Sequence, residues 1–130
     1  MRNVSGLLVQ SNGKTLLVFK RGFWFFPGGK QEGNEEPKET LLRELREELH
    51  LVCRKLELTL LHSGAFRAPE GEFWYNTFGC GVKALSGMIG LDPRDSVTDW
   101  GWIDNPLELN LTGHARFILE RQWESVEAAI

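Results

Sequence analysis

Two apolar runs rich in β-branched residues, at positions 4–10 and 15–20, flank Ser11-Asn12-Gly13-Lys14. Asn-Gly between such runs is the strongest short-range hairpin signal, so the chain is predicted to open with a hairpin. Positions 23–26, Phe-Trp-Phe-Phe, form a third extended piece that runs into Pro27-Gly28-Gly29, read as a turn where glycine lets the backbone approach a ligand closely. Pro37 suits the first position of a helix with Glu36 as the preceding cap, and the helix should run to about Leu49. Asn34, just before it, tolerates a left-handed conformation well. Beyond the helix, positions 55–62, 73–85 and 97–103 read as strands, with residues 67–72 as a loop and residues 105–109 as a short turn or helix. Thr112 can cap a last helix reaching about position 126, with Ala115, Ile118, Leu119 and Trp123 as its core contacts. Strand groups with one helix in the middle and one at the end imply an α+β layered sandwich.

The central helix carries more than a core stripe. At about 100° per residue, Leu41, Leu42, Leu45 and Leu49 share an arc of roughly 100°, and Glu44, Glu47 and Glu48 share an adjacent arc of similar width. One stripe can be buried while the other faces a cleft. Carboxylates at these spacings repel one another by a few tenths of a kcal/mol per pair, and a hard divalent cation reverses that sign. The same acids also suit a solvated face, because Glu39 stands four residues before Arg43, and Arg43 and Arg46 can offset several of them.

The spacing decides between these readings. From Gly29 the order is five residues, Glu35, seven residues, Arg43-Glu44-Leu45, one residue, Glu47-Glu48, one residue, then His50-Leu51. This resembles the Nudix box, G-x5-E-x7-R-E-U-x-E-E-x-G-U with U a bulky aliphatic residue, and His50 is the one departure, standing where the family has glycine. A left-handed residue commonly ends a helix, and His is enriched among non-glycine residues that accept positive φ, so His50 reads as an altered C-cap. The alternative is that its imidazole joins the acid cluster as a ligand or base.

The resemblance implies a Nudix-type α/β/α sandwich with a mixed sheet, in one domain over residues 1–130. It implies hydrolysis of a diphosphate linkage in a small phosphorylated, nucleotide-like substrate with Mg²⁺ or Mn²⁺. Glu44, Glu47 and Glu48 would be the metal-binding acids, with Gly28 or Gly29 lining the phosphates and supplying a backbone carbonyl. Arg43 would act in the catalytic group by pairing with Glu35 to orient the carboxylates. Glu44 is the first choice of general base, with Glu70, Glu72, Asp95 and Asp99 as candidates outside the box. Short length, FPGGK and LRELREEL look most like MutT-type nucleoside triphosphate pyrophosphohydrolases. ADP-ribose, nucleotide sugars and dinucleoside polyphosphates are alternative substrates, ADP-ribose being disfavoured because Phe66 stands where hydrolases of that ligand often have proline. A nucleotide sensor without turnover is the rival of another class.

Composition narrows the partners. At 130 residues, 42% hydrophobic, the chain can bury one core, and a net charge of −3 argues against a broad basic surface for duplex nucleic acid. No apolar run suits a signal peptide or a membrane span, so a cytoplasmic protein is expected, as a monomer or homodimer. Cys53 and Cys80 lack metal or redox spacing and read as buried free thiols, while His62 and His114 read as structural or surface residues. Five Trp and eight Phe are plentiful. Phe23, Trp24, Phe66, Trp74, Trp100 and Trp102 lie on segments near the expected cleft; most should fill core, with Trp24 and Phe66, beside Glu72 and Asp99, as candidates to meet substrate.

Overall fold

The computed structural model describes the backbone of residues 1–68 and 70–129 and the side chains of the same residues up to 121. Trp123, expected above as a core contact, lies outside those described side chains. The strands are β1 (Arg2–Leu8), β2 (Gln10–Ser11), β3 (Lys14–Lys20), β4 (Phe23–Phe25), β5 (Gly28–Lys30), β6 (Val52–Cys53), β7 (Thr59–Ala68), β8 (Gly71–Gly79), β9 (Leu85–Ser86) and β10 (Asp99–Ile103). The helices are α1 (Pro37–Leu49) and α2 (Gly113–Ala129), and short 3₁₀ turns occupy Lys55–Glu57, Val82–Ala84 and Pro106–Glu108.

The opening hairpin is only partly realised. Asn12 and Gly13, at φ 53° and 77°, make the tight turn, but it joins β3 to the two-residue β2 alone. The chain changes sheets at Val9, and β1 pairs antiparallel with β5 and parallel with β8. One sheet therefore runs β5-β1-β8-β7 and is mixed, while β3 is the centre of a second sheet with β10, β2 and β4 as its partners. Arg67, Ala68, Gly71 and Glu72 are strand rather than loop: β7 and β8 stay paired out to Ala68 opposite Gly71. The Pro27-Gly28-Gly29 turn is also corrected, because both glycines lie in β5 against β1.

Alternation along β1 and β3 divides the core in two. Leu7, Val9, Leu16 and Val18 face one side, where they meet Leu41, Leu45 and Leu49 of α1. Leu8 and Leu17 face the other, where Phe26, Leu111, Ala115, Ile118 and Leu119 complete a second cluster beneath α2. Period-2 strands carrying apolar residues on both faces need a cover on each, and the two helices supply it, giving an α/β/α sandwich. Leu41, Leu45 and Leu49 are fully buried, and each such leucine contributes about 1.5–3 kcal/mol of transfer free energy.

The ends of α1 follow local rules. Glu36 precedes Pro37, and the Glu39 carboxylate accepts the Glu36 amide at 3.0 Å. His50 adopts φ 58°, ψ 29°, and its amide donates back to Arg46 and Leu45. Its ring lies on the exposed side beside Gly90, so the histidine ends the helix where glycine would otherwise serve. The left-handed position just before the helix falls on Gly33, not on Asn34. Left-handed φ costs an L-residue roughly 1–2 kcal/mol, so His50→Gly should raise the free energy of unfolding by about 1 kcal/mol in denaturant titrations. A loss of stability would show that the imidazole contributes contacts that outweigh the strain.

Candidate active site

The site is assembled where β5 crosses in front of α1. Gly28 has φ 151°, and a Cβ there would overlap the Ser5 carbonyl of β1, so only glycine fits this crossing. At Gly29 a Cβ would overlap the Glu44 carboxylate itself. The acidic flank of the helix is thereby brought onto bare backbone.

Arg43 organises that flank. Its Nε donates to Glu35 Oε2 at 2.7 Å and its Nη2 to Glu35 Oε1 at 3.1 Å, the paired geometry that a guanidinium makes with a carboxylate. The same Nη2 donates to the Lys30 carbonyl at 2.9 Å, while Nη1 reaches Glu44 Oε1 and Glu47 Oε2, both at 3.0 Å. Glu35 is fixed further by the Glu32 amide and the Thr40 hydroxyl. The Arg43 contact, followed by the Glu32 amide, holds the Glu35 carboxyl down at about 2. The carboxylates in turn keep Arg43 protonated more firmly than usual, Glu35 foremost.

Glu48 is the most deeply placed acid, at 2% exposure. Its Oε1 accepts the Gly28 amide at 3.1 Å and its Oε2 lies 3.2 Å from Lys20 Nζ. Burial pushes its pKa from 4.5 to about 7 against the pull of Lys20 and the Gly28 amide, with Glu44 adding to the rise. Burial also raises Glu44, opposed by Arg43. Glu47 is more open, its carboxylate half exposed.

The donor set suits a hard divalent cation, with carboxylate oxygens on one helix flank, backbone at Gly28 and Gly29, and two acids whose burial strengthens their hold on a positive partner. Among the described residues, however, no three His, Cys, Asp or Glu side chains are grouped as a ready-made cation site. Glu48 is turned to Lys20, and Glu44 and Glu47 share Arg43.

Beside the acids opens a cavity of about 510 Å³ whose lining includes Lys20, Gly28 and Gly29 at one end and Phe23, Phe25, Phe66, Phe73, Tyr75 and His114 as walls. His114 stacks on Tyr75 with centroids 4.1 Å apart, meets Phe66 edge-on at 4.8 Å, and its Nε2 pairs with the Thr77 hydroxyl at 2.8 Å. Burial, then His62, lowers its pKa to about 3, so the ring is neutral.

Of the substrate candidates outside the box, Phe66 lines this cavity and Trp24, Glu72 and Asp99 do not. Trp24 packs with the α2 cluster, because alternation along β4 turns it away from the cavity that Phe23 and Phe25 face. Asp99 caps the neighbouring Trp100 amide, and Glu72 stands on the β7–β8 hairpin 3.9 Å from Arg67. Trp100 and Trp102 pack against the α1 cluster, and Trp74 is on the surface. Among the other candidate bases, Glu70 lines the cavity with its carboxylate 3.8 Å from Lys30, and Asp95 caps Ser96. Cys53 and Cys80 are free thiols, Cys53 buried and Cys80 partly so, and burial raises the pKa of both. Lys20, Tyr75 and His114 also line the cavity, which sequence reasoning missed; a lysine closing an apolar strand three residues before the aromatic run is the only local signal that marks one of them.

An α/β/α sandwich with an acidic helix flank set against a Gly-Gly strand defines the class, and the comparisons agree. The NUDIX domain profile matches residues 1–118, and the chain belongs to the Nudix family. It is 49% identical over 49 residues to an 8-oxo-dGTP diphosphatase of Proteus vulgaris, covering 38% of this chain and 42% of that protein. It is 30% identical over 86 residues to a CTP pyrophosphohydrolase of Escherichia coli K12, covering 54% of this chain and 64% of that one. The chain thus spans less than two thirds of the length of these relatives. Similar solved structures include the E. coli ORF135 protein, with TM-score 0.77 and 23% identity over 99% of this chain and 92% of that one. A MutT Nudix hydrolase from Burkholderia pseudomallei gives TM-score 0.78 and 26% identity over 92% and 95%. No helix among the described residues is long and apolar enough to cross a membrane.

The raised pKa of Glu48 has a consequence for stability. Between pH 4.5 and about 7 the folded chain holds a proton that the unfolded chain has released, so this group's contribution is whole below pH 4.5 and lost as pH rises through 7. Glu48→Gln should flatten the fall in stability across that window in denaturant titrations at several pH values. An unchanged slope would place its origin in another group.

Proposed function

We propose that the chain hydrolyses a diphosphate linkage in a nucleotide-like substrate, most simply a nucleoside triphosphate giving a nucleoside monophosphate and pyrophosphate, with Mg²⁺ or Mn²⁺ as cofactor. The observation that supports the reading is that Gly28 and Gly29, against which Glu48 and Glu44 lie, line an aromatic-walled cavity large enough for a nucleoside. The similarity to an 8-oxo-dGTP diphosphatase and a CTP pyrophosphohydrolase supports a nucleoside triphosphate.

Glu44, Glu47 and Glu48 would hold the ion together with the Gly29 carbonyl. When bound there, the ion would supply neutralisation of charge developing on the diphosphate and a more acidic water. Arg43, fixed by Glu35 and the Lys30 carbonyl, sets the directions of Glu44 and Glu47. The Gly28 amide orients Glu48. Glu44, whose proton affinity is raised by burial, is suited to accept the proton of the attacking water. The phenyl and tyrosyl rings of the cavity offer faces for a base. His50 departs from the family pattern only at the helix terminus and leaves the acids intact, which favours catalysis over a sensor without turnover.

Glu47→Gln and Glu48→Gln should each lower Mg²⁺-dependent turnover by orders of magnitude while circular dichroism stays that of the parent. The assay is phosphate release from nucleoside triphosphates, ADP-ribose, dinucleoside polyphosphates and nucleotide sugars with and without the metal. Near-parent rates in either variant would remove that acid from the site. Tight nucleotide binding without turnover under either metal would favour the sensor.

A further inference from the structure

We infer that Lys20 is an exchangeable counter-ion, holding the Glu48 carboxylate until a divalent cation takes its place and then presenting its freed ammonium to the substrate phosphates from the cavity wall. The inference rests on the reading of Glu48 as a cation ligand.

Lys20 ends β3, and its ammonium sits 3.2 Å from Glu48 Oε2 with the two side chains only 11% and 3% exposed. The other carboxylate oxygen accepts the Gly28 amide. Oε2 is thus the oxygen that faces a positive charge in the structure, and that charge is Lys20. An ammonium and a divalent ion compete for one nearly sealed carboxylate oxygen, because their repulsion over a few ångströms is little screened there. Arg43, whose nearest acids are Glu35, Glu44 and Glu47, is committed elsewhere and cannot supply the charge on Glu48.

Lys20 also has somewhere to go. Its side chain lines the cavity next to Gly28, Gly29 and Phe25, and Nζ already stands 4.8 Å from the centre of the Phe25 ring. Rotation of the lysine stem across that ring keeps a cation–π contact and carries the ammonium from the acid to the open side, where a diphosphate seated against β5 would meet it. A compact ammonium on four rotatable bonds suits such a transfer, whereas a guanidinium is held by its planar fork. Loss of a cation partner at Glu48 and gain of an anion partner in the cavity are then linked, so metal and substrate would each tighten the other's binding.

The test follows Lys20 directly, by NMR of the protein carrying ¹⁵N-labelled lysine and ¹³C-labelled glutamate during titration with Mg²⁺. The Lys20 Nζ signal should move with the same midpoint as the Glu48 carboxyl signal. In Lys20→Met, calorimetry should show Mg²⁺ bound about tenfold tighter, and the KM for CTP, used as probe, should rise about tenfold rather than fall. A Glu48 signal that responds while Lys20 stays still, or a variant that binds Mg²⁺ no tighter than the parent, overturns the exchange while leaving Glu48 as a ligand. If no glutamate carboxyl of the α1 flank responds to Mg²⁺, the metal site fails, and the exchange with it.

Discussion

The guanidinium of Arg43 is the constraint on which the site depends. It ties Glu35 from the segment before α1, the Lys30 carbonyl at the end of β5, and Glu44 and Glu47 on its own helix into one network. Without it the acids would repel one another and β5 would keep only the Gly28 amide on Glu48 as a hydrogen-bonded tether to the helix. A lysine could not replace it, since a single ammonium lacks the planar fork that meets Glu35 through Nε and Nη2 and still has Nη1 for Glu44 and Glu47. Glu35 matters through Arg43, which it aims.

Burial works against this arrangement and also makes it useful. Glu48 and Glu44 are held where water screens them poorly, so their proton affinities rise and both depend on neighbouring cations or donors. Lys20 and the Gly28 amide meet that need for Glu48; Arg43 meets it for Glu44. Stability alone would favour apolar groups at such positions, because desolvating an ion pair is costly. The persistence of charge beside a cavity points to chemistry rather than to packing.

The two-sided sheet architecture puts these charges next to the aromatic walls. β1 lies between β5 and β8, so one short strand joins the Gly-Gly crossing on its one side to Phe73 and Tyr75 on the other. The cavity thus takes in Gly28 and Gly29 of β5 and the first turn of α2, where His114 stands neutral against Tyr75. The cavity lies over residues of all four strands of the β5-β1-β8-β7 sheet and of α2, and the acids of α1 adjoin it through Gly28 and Gly29.

Much of this was legible in the residues themselves. The box spacing, the α1 boundaries, the Glu36–Pro37 start and the left-handed His50 all depend on contacts within a few positions in sequence, and such contacts leave local signatures. The Glu35–Arg43 pair was legible only through the family resemblance, since nothing in the intervening residues announces it. The partners of β1, the strand character of Gly28-Gly29, the extension of β7 and β8 through the supposed loop, and the meeting of Lys20 with Glu48 across twenty-eight positions were decided by tertiary structure. So was the choice among aromatics, because alternation fixes that Trp24 opposes Phe23 and Phe25 but not which face is covered. Sequence by itself determined which groups could do chemistry and how the helix that carries them begins and ends. Only the folded chain decided what neutralises them and what stands opposite, because strand pairing and charge burial are set by distant segments whose approach no local pattern encodes.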